Sequence, residues 1–186
     1  WAGIYSLFGL SNIEFLKNSM DYFATDTKLN IFTHTWSLAV EEQFYLLFPF
    51  LIWFTGFGIT KQGKKNLFSI VSLLSIFSLV SFIWLNNFYQ PAAYFLMPSR
   101  FWEMSVGCLT FLFCNKKSNL TRMYKIISPQ FIFILILFIL FLPINFSTLS
   151  TISIVFLTSL LLITIKKEHL LFKIFTNKKI TYLGLM

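Results

Sequence analysis

The chain has 186 residues, 56% of them hydrophobic and 20% aromatic, with a formal net charge of +8 and a mean hydropathy of +0.73. A soluble fold of this size must cover its surface with more polar groups than this composition supplies. An ordinary soluble domain is excluded, and the expectation is an all-α, polytopic integral membrane helical bundle, because a lipid-embedded backbone must satisfy its own polar groups.

Apolar stretches of roughly spanning length follow one another along the chain. A partial span covers residues 1–15, with Asn12 and Glu14 near its end. Full spans are read at 43–60, 67–85, 92–114, 127–145 and 149–165, and another begins near 180. Pro49, Pro98 and Gly107 fall inside them, which membrane helices tolerate where neighbours satisfy the freed backbone groups. Gly107 is expected to allow close helix approach. The sequence starts at Trp1 inside one apolar stretch and stops at Met186 inside another, so we expect an internal fragment of a longer protein.

Basic residues gather in three connections: 61–65 (Lys61, Lys64, Lys65), 115–126 (Lys116, Lys117, Arg122, Lys125) and 166–179 (Lys166, Lys167, Lys173, Lys178, Lys179). Connections 86–91 and 146–148 carry no charge. The positive-inside rule assigns the basic loops to the cytoplasm and residues 16–42, with Asp21 and Asp26, to the extracytoplasmic side. Basic loops beside spans meet anionic headgroups, so the lipid bilayer is the expected partner and nucleic acid is not. Cys108 and Cys114 match no metal or redox spacing, and His169 reads as a solvated loop residue; no metal is expected.

Two polar constellations stand out. The first is Thr33-His34-Thr35-Trp36-Ser37-Leu38-Ala39-Val40-Glu41-Glu42-Gln43-Phe44-Tyr45, read as an external loop entering the span at 43, with Ser37 or Thr35 as helix N-cap. Two accounts are open. In one, Glu41 and Glu42 complement the helix dipole, Trp36 anchors the interface and His34 is solvated. In the other, His34 exchanges a proton near neutral pH, a carboxylate orients it, and Trp36, Ser37, Glu42, Gln43 and Tyr45 hold a sugar.

The second constellation is Pro98-Ser99-Arg100-Phe101-Trp102-Glu103. Arg100 and Glu103, three apart, share a helix face and can pair. An ion pair inside a span is a functional-site hypothesis by default, although purely structural buried pairs exist. Pro98 should break or kink the backbone just before it.

Residues His34 to Leu46 resemble the long motif of the membrane-bound acyltransferase 3 family, bacterial enzymes that O-acetylate O-antigen, peptidoglycan and exopolysaccharides. Arg100-Phe101-Trp102-Glu103-Met104-Ser105-Val106-Gly107 is similar to its second recurring element, and Asn12 and Tyr182-Leu183-Gly184 suit its layout of about ten spans. The resemblance implies that residues 1–186 form part of one such membrane domain, about spans three to the start of nine, in the bacterial inner membrane. It implies transfer of an acyl group, commonly acetyl, from cytoplasmic acyl-CoA as donor substrate, with no bound cofactor, to a hydroxyl of a cell-surface polysaccharide or lipid-linked glycan. His34, Glu41, Arg100 and Glu103 are carried over as the catalytic candidates, with Glu41 favoured of the paired acids. The family's best-known catalytic histidine lies in a first span that this sequence lacks, so the fragment alone is expected to be inactive. A transporter or flippase of lipid-linked glycans, and less strongly a membrane glycosyltransferase, are the alternatives.

Overall fold

A computed structural model describes residues 2–17, 34–114, 128–143, 146–165 and 169–185. Every regular element among them is helical: α1 (Ala2–Leu7), α2 (Ser11–Lys17), α3 (Thr35–Thr55), α4 (Gly63–Phe88), α5 (Gln90–Phe95), α6 (Met97–Cys114), α7 (Pro129–Leu140), α8 (Ser147–Thr164), α9 (Leu170–Phe175) and α10 (Lys178–Leu185). Three of them, α3, α4 and α8, are long and apolar enough to cross a membrane. The expected all-α membrane fold is what the chain adopts.

The chain divides into two compact units, residues 1–109 and 110–186. In the second, α7 packs on α8, and Phe133 of α7 meets Phe175 of α9 edge-on at 5.7 Å between centroids. The apolar run at 127–145 yields a helix of only 12 residues, short of the about 20 needed to span. The basic stretch read as a loop at 166–179 contains α9 and the start of α10. The basic loop 115–126 and most of segment 16–42 lie outside the described residues.

The first unit is built inside out relative to a soluble domain. On α4 the buried residues Gly63, Leu67, Val71, Ser75, Ser78 and Phe82 recur every three or four positions, one stripe of a 3.6-residue helix. Leu73, Ile76, Phe77, Val80 and Trp84 on the same helix are exposed. Small residues at helix contacts with large apolar ones facing out is how helices pack in lipid, where burying Leu against Leu gains little. The core itself joins Val40 and Phe44 of α3 to Met97 and Phe101 of α6, with Trp36, Leu51 and Leu74 against it.

Two predicted spans are broken. Residues 1–15 divide at Gly9, whose φ of 65° suits glycine alone without cost. The Leu10 N–H donates to the Tyr5 carbonyl at 2.9 Å and the Gly9 N–H to that of Ser6 at 3.3 Å, the paired bonds of a Schellman stop. Residues 92–114 divide at Leu96, which is extended with ψ 133°; in a continuous helix Pro98 would have no N–H for the Tyr94 carbonyl and its ring would clash there. The Ser99 hydroxyl donates to the Leu96 carbonyl at 2.8 Å. The expected break before the Arg100 pair is thus real.

A third site perturbs α6 without breaking it. The Ser78 hydroxyl of α4 donates to the Pro98 carbonyl at 2.6 Å and accepts from the Trp102 N–H at 3.0 Å. Those two groups are four residues apart, the natural partners of one helical hydrogen bond, so a side chain from α4 bonds to both ends of one rung. Gly107, expected to permit close approach, instead faces open space among the described residues: a Cβ there would meet none of their atoms within 4 Å. Gly107→Ala should therefore stabilise the helix by about 1 kcal/mol through propensity, read as a raised thermal unfolding midpoint.

Candidate functional site

The first motif is not a loop entering a helix. α3 begins at Thr35, with His34 as N-cap making no side-chain cap bond. The expected cap at Ser37 or Thr35 is overturned, since both lie inside the helix. Among the described residues Ser37 donates to the His34 carbonyl, at 3.4 Å. Thr35 is tied to the first broken span: its hydroxyl pairs with Ser6 at 2.8 Å, and its carbonyl accepts from Ser11 at 2.9 Å. The helix starts early because Ala39 and Val40 are buried, a packing gain that raw hydropathy does not reveal.

This shift changes the standing of the paired acids. No acidic residue lies in the first turn of α3; Glu41 and Glu42 sit in the second, where the dipole contribution has faded. Helix-start decoration therefore does not account for them. Glu41 is exposed, as are His34, Glu42 and Tyr45. The Glu42 side chain folds over Gly9, with one carboxylate oxygen 2.6 Å from where a glycine Cβ would stand.

The structure brings Arg100, Glu103 and Trp36 together. Arg100 donates from Nη2 to Glu103 Oε2 at 2.8 Å and from Nε to Oε1 at 3.2 Å, the two-point geometry that suits guanidinium and carboxylate. The side chains are 24% and 21% exposed. The guanidinium carbon lies 5.2 Å from the Trp36 ring centre and 5.6 Å from that of Tyr94, within cation–π range. Trp36 and Tyr94 are themselves 4.4 Å apart, and Phe95 meets Trp36 edge-on at 5.4 Å. Arg100 is thus held by its acid on one side and a wall of rings on the other. Its Nη1 makes no hydrogen bond among the described residues, leaving two donors aimed elsewhere.

Gln43 is committed differently. Its amide nitrogen donates to the Gly9 carbonyl and to Asn12 Oδ1, both at 2.9 Å, which uses both of its N–H bonds. Asn12, 1% exposed, donates in turn to the Phe95 carbonyl at 3.0 Å. Sequence reasoning gave Asn12 little weight and passed over Tyr94. The only signal for Tyr94 was an aromatic residue four positions before a proline–arginine break. Among the described residues no three His, Cys, Asp or Glu side chains gather as a metal site would require. No hydrogen bond or ion pair among them joins His34, Ser37, Glu41, Glu42 or Tyr45 to the Arg100–Glu103 pair.

No protein-family model matches the chain, and no solved structure matches it. It is similar to O-acetyltransferase OatA of Staphylococcus aureus, 33% identical over 108 residues, which are 57% of this chain and 17% of the relative. It is similar to the putative peptidoglycan O-acetyltransferase YrhL of Bacillus subtilis, 32% identical over 111 residues, 56% of this chain and 17% of the relative. An uncharacterized protein of Haemophilus influenzae is 33% identical over 124 residues, 61% of this chain and 49% of its own. The chain spans 17% of the length of the OatA and YrhL relatives. The chain is a membrane protein by its own helices, and two of the relatives it resembles carry the name O-acetyltransferase.

Proposed function

We propose that the chain is part of an integral-membrane acyltransferase of the acyltransferase 3 type, and that residues 1–186 belong to a single such domain. In this reading the full-length protein moves an acetyl group from cytoplasmic acyl-CoA to a hydroxyl of an extracytoplasmic glycan, with peptidoglycan the acceptor class that the YrhL name favours. It would reside in the bacterial inner membrane as a multi-pass protein, with residues 16–42 outside.

The observation that carries the reading is the Arg100 centre: a cation fixed by Glu103 and two aromatic rings, with Nη1 making no hydrogen bond among the described residues, in the unit that holds the membrane-length helices α3 and α4. The acceptor oxygen attacks the thioester carbonyl; a C–O bond forms, the C–S bond breaks, and the hydroxyl proton passes through a base to the departing thiolate. Negative charge grows on the carbonyl oxygen. A preorganised donor such as Arg100 Nη1, in a partly dehydrated site, stabilises it. Glu41 and His34 are this chain's candidates for the proton; Trp36, Ser37, Glu42 and Tyr45 are the candidates for holding the sugar, Gln43 being committed to Gly9 and Asn12.

The test compares Glu41→Gln with Glu42→Gln in the full-length protein, using a labelled acetyl donor and quantifying label esterified to glycan. General-base catalysis contributes about 10²–10⁴-fold, so E41Q should fall by about a hundredfold or more with membrane insertion unchanged, and E42Q less. Full transfer by E41Q removes Glu41 from the reaction. The paired helix breaks also occur in transporters, whose sites use interrupted helices. Glycan translocation with no ester formed is the outcome that favours that reading.

A further inference from the structure

At each of the two broken spans a backbone carbonyl, that of Gly9 and that of Phe95, accepts from a side chain. In lipid such groups need an internal donor. Each is answered by a side-chain amide: Gln43 Nε2 reaches the Gly9 carbonyl and Asn12 Nδ2 the Phe95 carbonyl, and the two amides bond to each other at 2.9 Å. One chain of hydrogen bonds thus runs from the first break, through α3 and α2, to the second break. Its far end is the residue beside Tyr94, and Phe95 itself packs on Trp36. Leu96 follows, and then the turn that carries Arg100.

We propose that Asn12 is the positioning residue of the Arg100 centre, acting with Gln43 as an amide clasp that sets the registry of α3 against α5. Neither side chain touches the guanidinium. The clasp fixes where Trp36, on α3, meets Tyr94, on α5, and those two rings are the wall against which Arg100 lies. Asn12 suits this role because its amide donates and accepts at once: Nδ2 for the Phe95 carbonyl and Oδ1 for the Gln43 N–H. Burial at 1% exposure keeps water from replacing either bond. The inference rests on the reading that Arg100 serves the transfer reaction.

The experiment uses the full-length protein in lipid nanodiscs, with Asn12→Ala, Gln43→Ala, the double variant and Asn12→Asp. Asn12→Asp keeps size and the acceptor but turns a carboxylate oxygen toward the Phe95 carbonyl, and so tests the donor even where Asn12→Ala folds poorly. Misplacement of a catalytic group costs up to about a hundredfold. We expect N12A and N12D each to lower kcat by roughly tenfold to a hundredfold with little change in the KM for acyl donor. The double variant should be no worse than the poorer single one. Amide hydrogen exchange across residues 90–100 should quicken in N12A. Normal exchange there, a wild-type kcat, or a loss confined to KM overturns the clasp. Arg100→Lys run alongside separates the two ideas: if it loses transfer while N12A does not, the clasp fails and the site stands. If neither loses transfer, the site reading itself has failed, and the positioning role with it.

Discussion

Arg100→Lys in the full-length protein lowers acetyl transfer to glycan by about 10²–10³, the loss typical of removing one preorganised oxyanion donor. The substitution keeps the charge and removes the geometry. A guanidinium occupies both Glu103 oxygens through Nε and Nη2 and still presents Nη1. An ammonium is a point charge that cannot lie flat against Trp36 and Tyr94 while doing the same. Arg100→Ala should abolish transfer, but it also strands the largely buried Glu103 without its cation, which is destabilising in its own right. Lysine is therefore the cleaner test, read as labelled ester per amount of membrane-inserted protein. Wild-type transfer by R100K would mean that charge alone suffices and that the fork has no part in the chemistry.

Gly63→Ala carries the largest expected cost in stability. Gly63 opens α4 against the turn that ends α3, and a Cβ there would run into the Gly56 carbonyl oxygen, with the Gly56 carbonyl carbon at 2.6 Å and Phe57 Cα at 2.9 Å. These are backbone atoms of a turn already fixed by Gly56 at φ 64° and by the Thr60 N–H and hydroxyl on its carbonyl. They cannot rotate aside as a side chain would. Overpacking costs about 1–3 kcal/mol, and the rigid neighbour places G63A at the upper end or beyond. Gly58→Ala is the control: its φ of 83° strains alanine but no atom lies within 4 Å. Thermal unfolding in detergent should rank wild type above G58A and G58A above G63A. Equal midpoints for wild type and G63A would refute this packing of the α3–α4 turn.

What the sequence made legible was what lipid dictates. Apolar runs located α4 and α8 to within a few residues, since length and hydropathy are the variables that matter there. The pairing of Arg100 with Glu103 followed from their spacing, and the interruption before them from Pro98. The start of α3 did not follow, because its first turns are amphipathic and gain their stability from burying Ala39 and Val40 against other elements. The break at Gly9 was equally hidden: a glycine in an apolar run reads as tolerated, and only its positive φ shows that it stops a helix. The clasp was hardest to foresee. Asn12, Gln43 and Phe95 are linked over 31 and 83 positions, and no periodicity carries information across such separations.

The Ser78 hydroxyl gives the turn that carries Arg100 a second frame of reference. A guanidinium on a self-contained helix would have its height set by that helix alone. Here the Ser78 hydroxyl of α4 adds a rung of its own, bonded to the Pro98 carbonyl and the Trp102 N–H. Sliding α4 along its axis would strain that rung, so the longest helix of the unit acts as a ruler against which the cation is held.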